Sequence, residues 1–179
     1  MRNTLYLFGI LNEADTAWML ATGRQERLQA GAILIHEGQV LDAMYIVLQG
    51  QFRVSMAVAG GAELARLRVG EVMGEISFVD SRPPAATVTA VEDAVVFAIP
   101  RQRLSAKLAE DTGFAARFYQ ALSMFLADRM RSAVSRLLNR SMDTPVDDDD
   151  DEALDPQVLQ RMALAGARFD WMLKSLQGA

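Results

Sequence analysis

Apolar and polar residues follow two different periods along this chain of 179 residues, and the change of period divides the chain into three parts. Residues 1–30 show the spacing of helices, with Asn12 as the N-cap of a helix and Gly23 just after its last turn. Between Gly31 and Pro100 the period falls to two, in short runs that are typical of strands. After that the helical period returns. The pattern predicts helices, then a small β-structure, then helices again.

The middle part predicts about eight short strands. The clearest alternation runs from Phe52 to Val58 and is followed by a hairpin turn at Gly60 and Gly61. Short strands at regular spacing with glycine turns are typical of a small β-sandwich or jelly roll. The fold class is therefore predicted as α+β. The clearest runs cover residues 33–35, 44–48, 52–58, 64–69, 88–91 and 95–99.

A short helix over residues 101–109 and a long one over residues 111–140 follow the strands, and Asp111 or Thr112 caps the long helix. The apolar stripe of the long helix covers about 35–40 Å, which is more than a small barrel can bury. Its far end therefore needs another apolar surface, either in the same subunit or on a second copy of the helix, and we favour a homodimer. The stripe consists of Phe114, Phe118, Leu122, Phe125, Leu126, Met130, Ala133, Val134 and Leu137.

Eight acidic residues and no basic ones lie within residues 143–155, which predicts an extended acidic linker. Asp155 and Pro156 then start an amphipathic tail helix over residues 156–179, as N-cap and first helical residue. A lone helix of this length is marginally stable in water, so it must dock on the barrel, on the dimer helix or on a protein partner. Residues 1–142 are accordingly predicted to form the main domain.

Composition excludes several classes of function. The chain has no cysteine and one histidine, His36, so no usual zinc site or catalytic thiol is expected, and an enzyme is not expected either. No apolar run approaches the roughly 18–20 residues of a membrane span. The absence of cysteine fits a reducing cytoplasm, where we expect the protein to act. No metal or tightly held cofactor is predicted.

The net charge of −5 comes from the acidic linker, because the rest of the chain has 18 basic and 15 acidic residues. That balance offers no basic face for duplex binding, so nucleic acid is not an expected partner.

The stretch over residues 73–88 combines residue types that suit a sugar phosphate. Gly74 permits close approach of the backbone, and Glu75 can accept hydrogen bonds from a sugar hydroxyl. Amide groups at the start of a short helix favour an anion. A turn with Arg82 then leads into Ala85, Ala86 and Thr87. The residues alone equally suit a helix–turn–strand connection inside a barrel.

This stretch resembles the phosphate-binding cassette of cyclic nucleotide-binding domains, as in the catabolite activator protein family and the regulatory subunits of cyclic AMP-dependent kinase. We call residues 73–88 the cassette. The resemblance covers roughly residues 5–140 and implies a β-roll flanked by N-terminal helices and a long C-terminal helix that dimerises. It also implies that Glu75 binds the ribose 2′-hydroxyl of a cyclic nucleotide, cyclic AMP or cyclic GMP. The implied ligand-binding residues are Gly74, Glu75, Ile76, Ser77, Arg82, Ala85, Ala86 and Thr87.

The cassette departs from the family at one position. In the family an arginine directly before the Ala/Ser-Ala pair binds the cyclic phosphate, whereas this chain has Pro84 there and an arginine two residues earlier, at Arg82. Either Arg82 reaches the phosphate from another point on the turn, or the usual ligand is not bound. Relatives also place residues of the long helix against the purine. Arg129 or Arg131 is a candidate for that contact or for a phosphate, unless both are simply solvated.

Two functional hypotheses follow from this resemblance. The first is a regulatory domain of bacterial type that senses a cyclic nucleotide and relays it through the C-terminal helices. The second is a degenerate fold that serves as an interaction or dimerisation module, or that binds another anion such as a cyclic dinucleotide. Transcription factors of the family carry a DNA-binding domain after the dimer helix, but only 39 residues follow Arg140 here, so DNA binding is not expected.

Overall fold

The computed structural model describes residues 2–80, 82–142 and 156–177. Within these residues the strands are β1 (Arg24–Leu28), β2 (Ile33–Ile35), β3 (Ala43–Gln49), β4 (Phe52–Ser55), β5 (Glu63–Leu67), β6 (Val72–Met73), β7 (Thr87–Ala90) and β8 (Ala94–Pro100). They form two four-stranded antiparallel sheets. Sheet A has the order β1-β8-β3-β6 and sheet B the order β2-β7-β4-β5. The predicted α+β jelly roll is confirmed.

One core fills the space between the two sheets. Because successive side chains of a strand point to opposite faces, β3 directs Tyr45 and Val47 into this core and Met44 and Ile46 away from it. From sheet B, Phe52 and its cross-strand neighbours pack against them. The buried members of the core are Ile35, Leu41, Ala43, Tyr45, Val47, Phe52, Leu67, Met73, Val88, Ala90, Ala94, Val96 and Ala98.

A second core lies between the other face of sheet A and the α-helices. The helices are α1 (Arg2–Ile10), α2 (Glu13–Thr22), α3 (Arg101–Glu110), α4 (Thr112–Met142) and α5 (Pro156–Gln177). Sheet A contributes Met44, Ile46, Phe97 and Ile99 to this core, and α4 contributes Phe114 and Phe118, whose rings stack at 5.8 Å. The central strands β3 and β8 of sheet A are thus buried on both faces.

The predicted helix boundaries before the barrel are only partly correct. Asn12 caps α2 in a capping box with Asp15, and the Gly23 amide donates to the Met19 carbonyl at 2.8 Å. Residues 24–28, however, form β1, so the prediction of helix up to residue 30 is wrong there. Backbone pairing with β8 holds this strand, whose polar sequence RQERL carries almost no apolar alternation. Gly23 also lies so close to the ring of Phe97 that an added Cβ would overlap it.

The hairpin after β4 also differs from the pattern. The alternation predicted a strand up to Val58, but the strand ends at Ser55 and Ala57–Ala59 form a 3₁₀ turn. Gly60 and Gly61 follow with φ of 65° and 77°, and this left-handed backbone turns the chain into β5. Val58 is exposed at the tip of the hairpin.

Both predicted helices after the barrel are present. Asp111 caps α4 by accepting a hydrogen bond from the Phe114 amide at 2.8 Å, as predicted. Arg117 of α4 forms two hydrogen bonds, of 2.6 and 2.9 Å, with the buried carboxylate of Asp15 in α2. This ion pair fixes the first half of α4 against the N-terminal helices.

The tail helix docks within its own subunit. Ala165, Phe169 and Met172 of α5 are buried in the helical core, and the ring of Phe169 lies 5.9 Å from that of Phe8 in α1. Arg168 donates to the carbonyl oxygens of Phe8 and Leu11, so it caps the end of α1.

Residues 143–155, the predicted acidic linker with the Asp155 cap, lie outside the described residues. Across the described ranges, no helix combines the length and the hydropathy needed to cross a membrane.

Candidate functional site

The cassette begins at a glycine that two constraints require. Gly74 has φ of +82°, which side-chain-bearing residues rarely adopt, and a Cβ there would lie 2.9 Å from the Leu41 side chain and 3.1 Å from the Ala43 carbonyl oxygen. The chain therefore passes directly over β3 as it leaves β6. This close passage directs the next side chain, that of Glu75, into the protein.

The carboxylate of Glu75 is buried and paired with an arginine of α4. Glu75 is 1% exposed, and its Oε1 lies 2.7 Å from Nη1 of Arg129. The guanidinium of Arg129 lies over the ring of buried Phe125, 4.5 Å from its centroid, and is 38% exposed. Among the predicted site residues, Glu75 thus carries a buried charge, and the guanidinium of Arg129 in α4 already neutralises that charge.

Burial raises the pKa of the Glu75 carboxyl above the ordinary value for glutamate. The positive charge of Arg129 and the Glu75 amide lower this pKa in part, and the negative charge of Glu71 adds to the rise. The carboxylate is therefore costly to keep charged and depends on a partner. A ligand that takes the place of Arg129 has to supply hydrogen bonds to the same oxygens.

After Glu75 the cassette forms a short 3₁₀ turn over Ile76–Phe78. The first amides of this turn, those of Ile76 and Ser77, precede its intrahelical hydrogen bonds, which begin with the Phe78 amide bound to the Glu75 carbonyl at 3.0 Å. Phe78 packs edge-on against Phe118 of α4 at 6.3 Å, and the guanidinium of Arg101 in α3 lies 5.0 Å from its ring. The turn is therefore attached to α3 and α4.

Arg82 lies on the outside of the cassette. Its side chain is 83% exposed, its Nε lies 3.5 Å from the Asp80 carboxylate, and its amide donates to the same carboxylate at 3.1 Å. The structure does not bring this guanidinium together with Glu75. A role of Arg82 in holding a phosphate remains a prediction, and it requires the side chain to leave Asp80.

The last part of the cassette is held by the turn between β2 and β3. Pro84 is half-buried and its carbonyl accepts from the Gly38 amide at 2.8 Å, while the Thr87 hydroxyl accepts from the Glu37 amide at 3.3 Å. Of the remaining predicted site residues, Ala85 is exposed and Ala86 half-buried. No side chain at these positions supplies a positive charge.

The arrangement can bind a group that offers hydroxyl donors to Glu75 and acceptor oxygens to nearby amides and to Arg129. The sequence singled out Arg129 only as one of two candidates on α4, and the structure distinguishes them. Arg129 contacts the cassette, whereas Arg131 is mostly exposed and lies 4.0 Å from Asp128 of its own helix. The sequence pattern assigns Phe125 to the apolar stripe of α4 and gives it no other role. Its position four residues before an arginine is the signal for the cation–π contact.

Comparisons with known proteins agree with this fold. Residues 25–111 match the family model described as the cyclic nucleotide-binding domain. A cGMP-dependent protein kinase of Toxoplasma gondii is 33% identical over 97 residues, which are 54% of this chain and 10% of the kinase. The chain therefore spans a small part of that relative, and the kinase's activity does not carry over to it.

Solved structures give the same result over a longer part of the chain. The N-terminal domain of a transcriptional regulator from Streptomyces coelicolor A3(2) is 28% identical, with a TM-score of 0.60, and the match covers 69% of this chain and 90% of that one. A cyclic nucleotide-binding domain from Methylobacillus flagellatus has a TM-score of 0.68 at 18% identity, with coverage of 78% and 83%, and supports the fold alone.

Proposed function

Since residues 25–111 of this chain belong to the cyclic nucleotide-binding domain family, we propose that the cassette binds a cyclic purine nucleotide and that α4 relays its presence. In this role the chain acts as a regulatory domain and not as an enzyme. The observation that carries the proposal is the ion pair between the buried Glu75 of the cassette and the partly exposed Arg129 of α4. The Glu75 carboxylate can accept a hydrogen bond from a ribose hydroxyl, and the same carboxylate holds α4 through its ion pair with Arg129.

Binding and relay are coupled through the oxygens of that carboxylate. A ribose 2′-hydroxyl that donates to Glu75 competes with Arg129 for the same acceptor atoms. The amides of Ile76, Ser77 and Ala86 hold the phosphate, with Arg82 reaching in from the turn. The ligand therefore shifts the population between positions of α4 with and without the Arg129 contact.

Arg129 also bears on the choice of base. The resemblance implies that residues of this helix lie against the purine, and a guanidinium has only donors to offer. The O6 and N7 atoms of guanine both accept hydrogen bonds, whereas the corresponding edge of adenine presents one acceptor and one donor. Cyclic GMP is therefore tested beside cyclic AMP.

The proposed assembly is a homodimer through α4. The outer side of this helix exposes Tyr119, Met130 and Val134, and Met130 is 69% exposed. Met130 and Val134 continue the apolar stripe beyond the part that packs on the barrel, whereas Tyr119 lies beside Phe118. A second copy of α4 is the surface that best matches such a stripe.

A second candidate function is a binding module without a nucleotide. It is favoured by the Arg82 guanidinium, which points into solvent, and by Pro84 in the position of the phosphate-binding arginine. In that case the Glu75–Arg129 pair is a structural link between the barrel and α4. The fold then serves to present α4 and α5 to a protein partner.

Isothermal titration of the full chain with cyclic GMP, cyclic AMP and cyclic di-GMP distinguishes the two candidates. The proposal predicts saturable binding of a cyclic mononucleotide, weakened about tenfold or more in Glu75→Gln, which replaces the charged acceptor with a neutral amide. The matched control is Glu92→Gln, an exposed carboxylate that leaves affinity unchanged. Absence of binding by all three nucleotides would end the sensor proposal.

A further inference from the structure

The outer face of sheet B carries a groove that shares Thr87, and no other residue, with the predicted nucleotide contacts. The groove has a volume of about 540 Å³ and lies between the β4–β5 hairpin and the turn that follows β2. In β4, Val54 points into the core between the sheets, whereas Arg53 and Ser55 point outward into this groove. The groove is therefore on the opposite face of the sheet from the core between the sheets.

The positive charge of the groove comes from Arg53. This arginine forms no ion pair with any residue that the structure describes. Its cross-strand neighbour in β5 is another arginine, Arg66, which is itself paired with Glu63 at 2.6 Å. Like charges directly opposite each other on a sheet repel. Glu63, which lies across the ladder from Ser55, offsets part of that repulsion, since its hydrogen bond with Arg66 and the charge of Arg53 both lower its pKa.

The hydroxyl groups of Ser55 and Thr89 open into the same groove. Ser55 and Thr89 are buried at 9% and 7% exposure, and neither hydroxyl forms a hydrogen bond with another described residue. Thr89 lies directly across the ladder from Arg53, and Ser55 lies across from Thr87. Hydroxyls in this position can donate to the oxygens of an anion that the guanidinium holds.

The rest of the groove limits what can bind. Ile33 and Met56 form an apolar wall, and Ile33 is exposed. The carboxylate of Glu37 also lines the groove, but its Oε2 accepts from the Ala57 amide at 2.8 Å, so that oxygen faces the hairpin. The lining thus offers one guanidinium, one carboxylate, the hydroxyls of Ser55, Thr87 and Thr89, and an apolar surface of modest size.

We propose that this groove binds a phosphate monoester with a small apolar body. The phosphate oxygens contact Arg53, Ser55 and Thr89, and the ester group lies against Ile33 and Met56. The inference does not depend on nucleotide binding by the cassette, because it rests on Arg53, Ser55 and Thr89, which are not among the predicted nucleotide contacts.

The test is a titration of the full chain with phenyl phosphate, followed by ¹H–¹⁵N NMR at constant ionic strength. The expected result is saturable shifts of the amides of β4, β7 and residues 56–61, with affinity reduced about tenfold in Arg53→Gln, as expected for a charge-assisted hydrogen bond. Ser55→Ala combined with Thr89→Val reduces the affinity further. The matched control is Arg103→Gln, an exposed arginine of α3, which leaves the affinity unchanged.

Three results would overturn the inference: shifts that do not saturate, equal shifts with sodium sulfate at the same ionic strength, or an affinity that Arg53→Gln does not change. Glu75→Gln serves as a second control, because it removes the proposed nucleotide contact and leaves phenyl phosphate binding intact. Failure of this site and failure of the nucleotide site are therefore distinguished in the same set of variants.

Discussion

The carboxylate of Glu75 and the guanidinium of Arg129, 54 positions apart in the chain, form a 2.7 Å ion pair that joins the cassette to α4. One member is almost fully buried and the other is partly exposed over Phe125. The pair is therefore asymmetric, since loss of the arginine leaves a buried charge and loss of the carboxylate leaves a guanidinium that water can reach.

Replacement of Arg129 by glutamine is expected to destabilise the fold by about 1–3 kcal/mol, the cost of a buried group that loses its partner. The double variant Glu75→Gln with Arg129→Gln is expected to recover part of this loss, because no charge then remains buried. Urea unfolding of the single and double variants measures the coupling. Arg131→Gln, an exposed neighbour on the same helix, is the control. Strictly additive effects of the two substitutions would show that the pair is not coupled.

The pKa of Glu75 gives a stability that depends on pH with a definite sign. Because the folded protein raises this pKa, the folded state binds the proton more tightly than the unfolded state. The free energy of unfolding relative to Glu75→Gln is therefore highest below the unfolded-state pKa and falls as pH rises through the folded-state pKa. Urea unfolding of both proteins over a pH series measures the difference.

Asp111 provides a comparison of opposite sign. Hydrogen bonds from the Lys107 side chain and the Phe114 amide lower its pKa, so its contribution is present above the unfolded-state pKa and is lost as pH falls. Asp111→Asn should therefore reduce the loss of stability toward acid. If the free energy of unfolding of the wild type rose relative to that of Glu75→Gln as pH rises, the account of Glu75 would be contradicted.

The tail helix is expected to contribute to the stability of the whole domain. Phe169→Ala should cost about 3–5 kcal/mol, since it leaves a cavity between α5 and α1. Trp171→Ala on the exposed side of the same helix should change stability by less than about 1 kcal/mol, as surface substitutions usually do. Urea unfolding of the full chain compares the two. Equal, small effects would show that α5 is not held against α1 in solution.

The proposed dimer predicts that a charge on the outer stripe of α4 separates the subunits. Val134→Asp should give the mass of a monomer in light scattering where the wild type gives that of a dimer. Leu164→Asp places the same charge at an exposed position of α5 and should leave the mass unchanged. A wild-type monomer at micromolar concentration, or a dimer that survives in Val134→Asp, would contradict dimerisation through α4.

The sequence predicted most of the fold because its signals are local. The Asn12 cap, the glycine turns and the stripe on α4 each act within a few residues. β1 was missed because its pairing with β8 needs only backbone groups, and polar side chains suit an edge strand. The end of β4 at Ser55 was missed since the alternation continues through residues that curl into a 3₁₀ turn.

The candidate site was predictable where it depends on backbone geometry and not where it depends on distant contacts. Gly74 and Glu75 follow from the spacing of the cassette. The choice between Arg129 and Arg131 depends on which side of α4 faces the barrel, and that is decided by Phe114 and Phe118 in the core. Likewise, α1 is one of several surfaces that the amphipathic helix α5 could cover, and the sequence alone does not choose between them.

Nucleotide binding through Glu75 is tested most directly by one pair of ligands on two proteins. Calorimetric affinities of a cyclic nucleotide and its 2′-deoxy analogue are compared for the wild type and Glu75→Gln. If Glu75 accepts a hydrogen bond from the 2′-hydroxyl, the deoxy analogue binds the wild type about tenfold more weakly, and the difference is smaller for Glu75→Gln, whose neutral amide oxygen is a weaker acceptor. Equal affinity of the two ligands for the wild type would contradict the account.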